Sequence, residues 1–121
     1  MKVVNLRTDP YEVYIGRAGK GKDGYFGNPI VLSQGGDRAA VLVKFKEYFD
    51  ARIKSDVEYA QRVLSLRGEV CGCFCKPLAC HGDVMAAWIA RASCECCGAS
   101  APIAVDREPH AVVLLCGECA K

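Results

Sequence analysis

The chain has 121 residues, of which 51% are hydrophobic and 25% are charged, proportions that indicate a soluble globular protein and exclude disordered and fibrous classes. Its net charge of +2 is too small for a general polyanion binder, so any anion site must be local. The longest uncharged apolar stretch, residues 84–90, is too short to cross a bilayer, and we expect no secretory signal or membrane contact. Nine cysteines, an odd number, fit a reducing cytosol better than a disulfide framework, so we expect a cytoplasmic protein.

Two short strands are predicted at the start of the chain, residues 2–7 and 12–16, because β-branched and aromatic residues flank a Thr-Asp-Pro turn. Glycines dominate residues 16–29, and we interpret this segment as a loop.

Two helices are predicted next. The first begins after Asp37, a good N-cap, because apolar residues recur at three- and four-residue spacing over residues 41–53. The second is expected to begin at Ser55, which starts an S-x-x-E capping box, and to end at Gly68.

Three cysteines alternate along the following predicted strand, residues 70–75, so their thiols are expected on one face: Cys71, Cys73 and Cys75. Residues 82–92 predict a third helix with Asp83 in its first turn. The order of these elements predicts an α/β fold. We expect a small layered sheet with three helices over residues 1–92, followed by a zinc-ribbon hairpin as an appendage over residues 93–121.

The last segment contains two C-x2-C pairs, Cys94 with Cys97 and Cys116 with Cys119, at the spacing of a four-thiolate Zn²⁺ site. Apolar runs within residues 102–115 predict the hairpin that holds the two pairs together. Cys96 is surplus to a set of four. It could replace Cys94 or Cys97 as a ligand, or remain free.

The charge of this tail argues against nucleic acid as its partner. Residues 93–121 carry four acidic and two basic side chains, and zinc held by four thiolates adds two further negative charges. An anionic ribbon binds phosphate poorly, so a structural brace or a protein-contact surface is favoured over nucleic-acid binding.

A second group of cysteines precedes the third helix. Three uses are open for Cys73, Cys75, Cys80 and His81: a second metal site, a Cys80 nucleophile with His81 nearby, or buried apolar thiols with His81 at the helix cap. We expect the helix N-terminus to lower the pKa of Cys80.

The glycine-rich loop carries Arg17, Lys20 and Lys22, a composition suited to cradling phosphate, although it matches neither a P-loop nor a dinucleotide fingerprint. The alternative is an exposed loop with solvated lysines. If the strands before the two loops are parallel neighbours, both loops line one crevice. The ligand residues expected there are Arg17, Lys20, Lys22, Asn28, Cys75, Cys80, His81 and Asp83.

Three motifs carry a family resemblance: I-G-R at residues 15–17, G-N-P at residues 27–29, and C-x-C-x-P-x-x-C-H-[GA]-D at residues 73–83. With them the chain resembles a family of uncharacterised small domains of bacteriophages and bacteria over about residues 3–90. The resemblance implies a phage or prophage origin, a location in the cytoplasm of an infected or lysogenic host, and a ligand site formed by the shared motifs. It implies no known activity, and the cysteine tail is an addition to the pattern.

Three functions remain open at this point. The first is a binding protein for a nucleotide or a nucleotide-derived phosphate ligand, which would sequester or modulate a host signal. The second is an enzyme acting on a nucleotide or nucleic acid, with Cys80 as nucleophile or with a zinc-bound water. The third is an adaptor that contacts a host protein through the ribbon.

Overall fold

A computed structural model describes residues 1–17, 19, 21–30, 37–73, 79–107 and 111–120. The elements, in chain order, are β1 (Lys2–Asn5), β2 (Val13–Tyr14), α1 (Arg38–Ser55), α2 (Val57–Leu64), β3 (Val70–Cys73), α3 (His81–Arg91), β4 (Ile103–Arg107) and β5 (Ala111–Leu115). Three helices with two small sheets confirm the predicted α/β class. In the described part of the chain, no helix is both long and apolar enough to span a membrane.

The first sheet is parallel, with the strand order β1-β3-β2. The two N-terminal strands therefore do not pair with each other, because β3 lies between them and bonds to both. A turn ends β1 early: the Asn5 carbonyl accepts hydrogen bonds from the backbone N–H groups of Thr8 and Asp9 at 3.2 and 3.0 Å. Because all three strands run the same way, the segments that follow them emerge at one edge of the sheet.

Helix α1 begins as predicted, since the Asp37 side chain accepts a hydrogen bond from the backbone N–H of Ala39 at 2.9 Å. The predicted start of α2 is wrong by one residue. Asp56, rather than Ser55, caps this helix by accepting from the N–H of Tyr59 at 3.1 Å, while the Ser55 hydroxyl donates back to the Ala51 carbonyl. An aspartate accepts this bond as well as a serine does, so the S-x-x-E pattern alone did not distinguish the two.

The core lies between the parallel sheet and the helices. Its largest members are aromatic: Phe49 of α1 packs edge-to-face on Tyr59 of α2 and on Trp88 of α3, with ring centroids 6.0 and 5.8 Å apart. Ile15, immediately after β2, is fully buried in the same cluster. Burial of each such side chain contributes about 1.5–3 kcal/mol, so these residues fix the helices on the sheet.

Strand β3 has one face toward this core. Cys71 and Cys73 are both buried there, as the predicted alternation requires, whereas Cys75 lies outside the described residues. On the other face, a β-carbon on Gly72 would lie 2.7 Å from the Tyr11 ring, so the glycine allows that ring to cover the sheet.

The tail forms the predicted hairpin, in which β4 and β5 pair antiparallel from Ile103 with Leu115 to Arg107 with Ala111. It packs against the helical layer, since Ala104 belongs to the core cluster and its carbonyl accepts a hydrogen bond from the Gln61 side chain at 3.1 Å. The hairpin therefore shares its buried surface with the α/β unit.

Candidate functional site

The I-G-R and C-H-G-D motifs meet at the edge where the parallel strands end. The Nε2 atom of His81 lies 2.6 Å from the backbone carbonyl oxygen of Ile15. Because a carbonyl can only accept, this nitrogen carries the proton and donates it. The first residue of α3 is thereby attached to the segment that leaves β2.

Arg17 joins the I-G-R motif to the G-N-P motif. Its guanidinium donates one hydrogen bond to the Asn28 carbonyl at 2.6 Å and a second to the Ile30 carbonyl at 2.7 Å. The Asn28 side chain in turn accepts from the N–H of Ile30 at 2.8 Å. Arg17 thus closes the glycine-rich loop upon itself, and two of its donors are used within the protein.

Two motif glycines are required by close approach of other atoms. A β-carbon on Gly27 would lie 2.7 Å from the Gly16 carbonyl oxygen, and one on Gly82 would lie 2.8 Å from the Ile15 side chain. Both distances are shorter than van der Waals contact. The three family motifs therefore interlock, and the structure brings Arg17, Asn28 and His81 together at one edge of the sheet.

His81 is enclosed, with 6% of its surface exposed, and packs edge-to-face on Phe45 at a centroid distance of 5.3 Å. Burial lowers its pKa, and the nearby charge of Arg17 lowers it further, although the backbone carbonyls of Ile15 and Phe26 and the Asp83 carboxylate act in the opposite direction. The imidazole is therefore neutral at pH 7. It acts here as a hydrogen-bonded connector, and its predicted role toward a ligand stays a prediction.

Cys80 and Cys73 face each other in the core, with their sulfur atoms 3.4 Å apart. Contact with the Cys73 thiol, together with burial, raises the pKa of Cys80. The expected lowering by the helix N-terminus is wrong, because these effects outweigh that of the Gly82 N–H, which acts in the opposite direction. Asp83 caps this end of α3, since its carboxylate accepts a hydrogen bond from the backbone N–H of Cys80 at 3.0 Å.

The suggested second metal site remains a prediction. Cys75, like the ligand candidate Lys20, lies outside the described residues. Of the other three candidates, Cys73 and Cys80 are adjacent, whereas the Nε2 atom of His81 is engaged by Ile15.

The tail holds the four cysteines of the predicted zinc site together. The sulfur atoms of Cys94, Cys97, Cys116 and Cys119 all lie within 4.8 Å of one another, and those of Cys97 and Cys116 are 3.6 Å apart. A tetrahedral ion with Zn–S bonds of about 2.3 Å needs sulfur atoms about 3.8 Å apart, which this arrangement fits. These four cysteines could therefore hold a metal ion, and they are the one such group within the described ranges.

Backbone N–H groups point at two of these sulfurs. The N–H of Cys97 donates to the Cys94 sulfur at 3.5 Å, and the N–H of Cys119 donates to the Cys116 sulfur at 3.4 Å. Such bonds stabilise thiolates, and the N–H of Cys97 is the main reason that the pKa of Cys94 is lowered to about 6. The same effect of the Cys119 N–H lowers the pKa of Cys116. Each turn thus presents one sulfur, Cys94 or Cys116, in the form that binds metal. Contact with the Cys116 thiol raises the pKa of Cys119. The Ala99 N–H acts to lower the pKa of Cys97, but contacts with thiols outweigh it and raise that pKa.

The two remaining thiols differ in position. Cys96 is exposed at the tip of the first turn, whereas Cys71 is fully buried under the sheet, where burial raises its pKa to about 11. Cys96 supplies its backbone N–H to the Cys94 sulfur, so its place in the first turn is structural even without metal ligation.

An open groove of about 430 Å³ lies beside the edge strand β2. Its lining comprises Glu12, Val13, Tyr14, Gly21, Lys22, Asp23, Tyr25, Phe26 and Arg62. Of the predicted ligand residues that the structure describes, Lys22 alone lines it, with its ammonium 5.6 Å from the centre of the Tyr14 ring.

Sequence reasoning missed the other side of this groove. The Arg62 guanidinium stacks 4.2 Å from the centre of the Tyr25 ring and is held by an ion pair with Glu58 at 3.1 Å. An aromatic pair inside a glycine-rich loop was the available signal for Tyr25. No sequence signal pointed to Arg62, because only the tertiary fold brings α2 to this loop.

These features define a small α/β protein with a cysteine-rich, zinc-ribbon-like tail. Residues 2–91 match the family described as Domain of unknown function (DUF4326). A relative from Enterobacteria phage T4, described as an uncharacterized 12.4 kDa protein in the nrdA-td intergenic region, is 38% identical over 85 residues, which are 70% of this chain and 73% of the relative. The chain therefore belongs to the DUF4326 family. No solved structure matches it.

The family match ends at Arg91, the last residue of α3. The cysteine tail therefore lies beyond the matched region, while the I-G-R, G-N-P and C-H-G-D segments lie within it. The proposed division of the chain at residue 92 into two domains stays a prediction, since the hairpin packs on the α/β unit.

Proposed function

We propose that this chain is a zinc-containing binding protein, in which the tail holds one Zn²⁺ and the α/β unit binds a phosphate-bearing, nucleotide-like ligand. The proposal that the tail binds zinc rests on a single observation, the convergence of four cysteine sulfurs within 4.8 Å. Four thiolates complete a tetrahedral shell, so the ion would have no open position for a reacting water. Its role is therefore structural rather than catalytic.

The tail has a structural need for such an ion. Few of its side chains are buried, chiefly Ala104, Leu115 and Cys94, so burial alone stabilises it weakly. A backbone hydrogen bond of 2.7 Å from Glu95 to the Leu114 carbonyl ties the first turn to β5. Zinc would cross-link that turn to the second one and keep the hairpin on the helices.

Metal analysis of the purified, reduced chain tests this proposal. We expect about one zinc per chain in the wild type and none in Cys116→Ser. Cys96→Ser is the matched control, because it also removes a tail thiol but leaves the four ligands in place. Zinc retained by Cys116→Ser, or absent from the wild type purified with zinc present, contradicts the proposal.

The ligand half is favoured by the groove beside β2. It combines two cations, Lys22 and Arg62, with the rings of Tyr14 and Tyr25, and its volume falls within the range of small-molecule sites. Cations pair with phosphate, and aromatic rings or a stacked guanidinium offer flat surfaces to a base.

The two carboxylates of the groove argue for a nucleoside rather than for phosphate alone. Glu12 and Asp23 balance the charges of Lys22 and Arg62, so a simple anion gains little net attraction. Carboxylates accept hydrogen bonds from sugar hydroxyls, which inorganic phosphate lacks. The groove therefore fits a molecule with separate anionic, hydroxyl and planar parts.

In this proposal Arg17 and His81 position the site rather than touch the ligand. Arg17 closes the loop that carries Lys22, and His81 attaches the start of that loop to α3. The phage relative suggests the setting, namely the cytoplasm of an infected or lysogenic bacterium, where the protein would sequester or modulate a nucleotide signal of the host.

Thermal unfolding with ribonucleoside mono- and diphosphates tests the ligand site, with nucleoside alone and inorganic phosphate alone as separate arms. A ligand at about 100 times its Kd adds about 2.7 kcal/mol to the free energy of unfolding. Lys22→Ala and Arg62→Ala should abolish this gain, whereas Lys44→Ala, an exposed lysine of α1, should retain it. If no nucleotide stabilises the wild type, the ligand half of the proposal is wrong.

A further inference from the structure

A carboxylate and an aromatic ring of the groove are fixed to each other by one turn of the glycine-rich loop. The backbone N–H of Tyr25 donates a hydrogen bond to the Oδ1 atom of Asp23 at 3.0 Å, and both residues line the groove. Asp23 is exposed there. An ionised carboxylate has about four lone-pair positions and no proton to donate, so the bond to Tyr25 leaves Asp23 able to accept further bonds from a ligand.

The ring of Tyr25 is held in place from the protein side. Its centre lies 5.9 Å from that of Tyr59, which is buried in the core, and 5.4 Å from the guanidinium of Arg52. The guanidinium of Arg62 stacks on the same ring. A ligand base therefore finds a preformed planar surface next to the Asp23 carboxylate, and this surface does not have to be ordered when the ligand binds.

Two other carboxylates near the groove are held by partners of their own. The Oε1 atom of Glu12 accepts a hydrogen bond from the backbone N–H of Val70 at 3.3 Å, which draws this side chain onto β3. Glu58 forms its ion pair with Arg62 at 3.1 Å. Asp23 is therefore the carboxylate placed to meet the edge of a base.

We propose that the groove selects a guanine nucleotide, whose base is bound along its edge by the Asp23 carboxylate. This inference rests on the proposed ligand site and names the class of nucleotide that it takes. Guanine presents two adjacent donors, N1–H and the 2-amino group, to the two carboxylate oxygens. Adenine and cytosine each present an amino group beside an accepting ring nitrogen, and the N3–H of uracil lies between two carbonyl oxygens. Each of these three bases would set an acceptor against the carboxylate, which disfavours binding.

Isothermal titration calorimetry of the full chain with GMP, IMP, XMP and AMP tests the assignment. The four nucleotides share one ribose phosphate, so differences in Kd report on the base. IMP keeps N1–H but lacks the 2-amino group, and XMP has a carbonyl oxygen in its place. We expect the wild type to bind GMP roughly 10- to 100-fold more tightly than AMP, with IMP between them.

Asp23→Asn tests the role of the carboxylate with little change to the loop. The new side chain keeps an oxygen that accepts from the Tyr25 N–H, and its amide offers one acceptor and one donor. These match the N1–H and the 2-carbonyl of XMP, so the variant should prefer XMP to GMP. A merely structural role of Asp23 would weaken all four nucleotides equally. Asp106→Asn makes the same change at an exposed position of β4 and should bind GMP as the wild type does.

Two results would overturn the inference. One is a wild type that binds AMP at least as tightly as GMP, and the other is an Asp23→Asn variant that still prefers GMP to XMP. The first comparison needs no variant, so it decides the matter even if Asp23→Asn fails to fold. Both results leave the ligand site itself intact, since nucleotides still bind. A wild type that binds none of the four contradicts the proposed ligand site as well, so the two failures are distinguishable.

Discussion

The cysteines that the structure describes form two groups in opposite environments. Cys71, Cys73 and Cys80 are enclosed by the sheet and helices, and burial or contact between thiols raises the pKa of Cys71 and Cys80. The four candidate metal ligands of the tail lie at two turns whose backbone N–H groups point at sulfur. The first environment keeps thiols protonated and apolar, whereas the second favours the thiolate at Cys94 and Cys116.

This difference shows what spacing alone leaves open. Cys73 and Cys80 lie as close together as many metal ligands do, and the backbone N–H of Gly82 contacts the Cys80 sulfur, but contact with the Cys73 thiol and burial outweigh it and raise the pKa of Cys80. In the tail, the two-residue spacer brings the N–H of Cys97 onto the Cys94 sulfur. Burial and contact with a single neighbouring thiol therefore separate the core thiols from the candidate metal site more sharply than the distance between sulfurs does.

The largest expected effect is that of Cys116→Ser. Structural zinc sites contribute on the order of 10 kcal/mol in small peptides, and we expect at least about 3 kcal/mol of this to appear in the free energy of unfolding here. Chemical denaturation with and without a chelator measures the effect. Cys80→Ser, which changes a core thiol, should keep its zinc. Loss of zinc in Cys80→Ser would erase the distinction between the two groups.

Gly82→Ala tests the close packing of the start of α3 against the I-G-R segment and β1. The new methyl group would lie 2.8 Å from the Ile15 side chain and 3.0 Å from that of Val3, so we expect a loss of about 1–3 kcal/mol in the free energy of unfolding. Gly117→Ala is the matched change in the tail, where no other atom lies within 4 Å of the new methyl group. It should change stability by less than about 0.5 kcal/mol and leave zinc bound. Equal losses in the two variants would contradict the close packing at Gly82.

Asp83→Ala should cost about 1 kcal/mol, because it removes the carboxylate that accepts the Cys80 N–H at the start of α3. Zinc content should not change, since the cap belongs to the α/β unit. Asp106→Ala, at an exposed position of β4, is the control and should be neutral in denaturation experiments. A cost no larger than that of the control would mean that Asp83 does not act as a cap.

Features that depend on residues a few positions apart could be predicted from the sequence. The Asp37 cap, the hairpin within residues 102–115 and the cysteine quartet are of this kind, because each is decided by local geometry. The alternation of Cys71 and Cys73 likewise predicted a shared face, which the structure shows to be buried.

Long-range pairing could not be predicted in this way. The sequence does not show that β3 inserts between β1 and β2, and the His81 ring bonds to a carbonyl 66 positions away. For the same reason Arg17, whose charge suggested a phosphate contact, is engaged by the carbonyls of Asn28 and Ile30. The pKa of Cys80 depended on a neighbour that only the fold supplies.

The smallest expected effect is a pH dependence that belongs to His81. Burial lowers its pKa in the folded chain below the ordinary value of 6.5, so the unfolded chain takes up a proton first as the pH falls. The wild type should therefore lose stability below about pH 6.5, by at most about 1.4 kcal/mol per pH unit for this one proton.

His81→Gln keeps an N–H donor for the Ile15 carbonyl but does not titrate. The gap between the free energies of unfolding of the two proteins should therefore narrow between pH 7 and pH 5. Protonation of the tail thiolates affects both proteins alike and cancels in this difference. A gap that widens in acid would mean that the imidazolium is stabilised by folding, and His81 would then be a charged group of the site rather than a neutral connector.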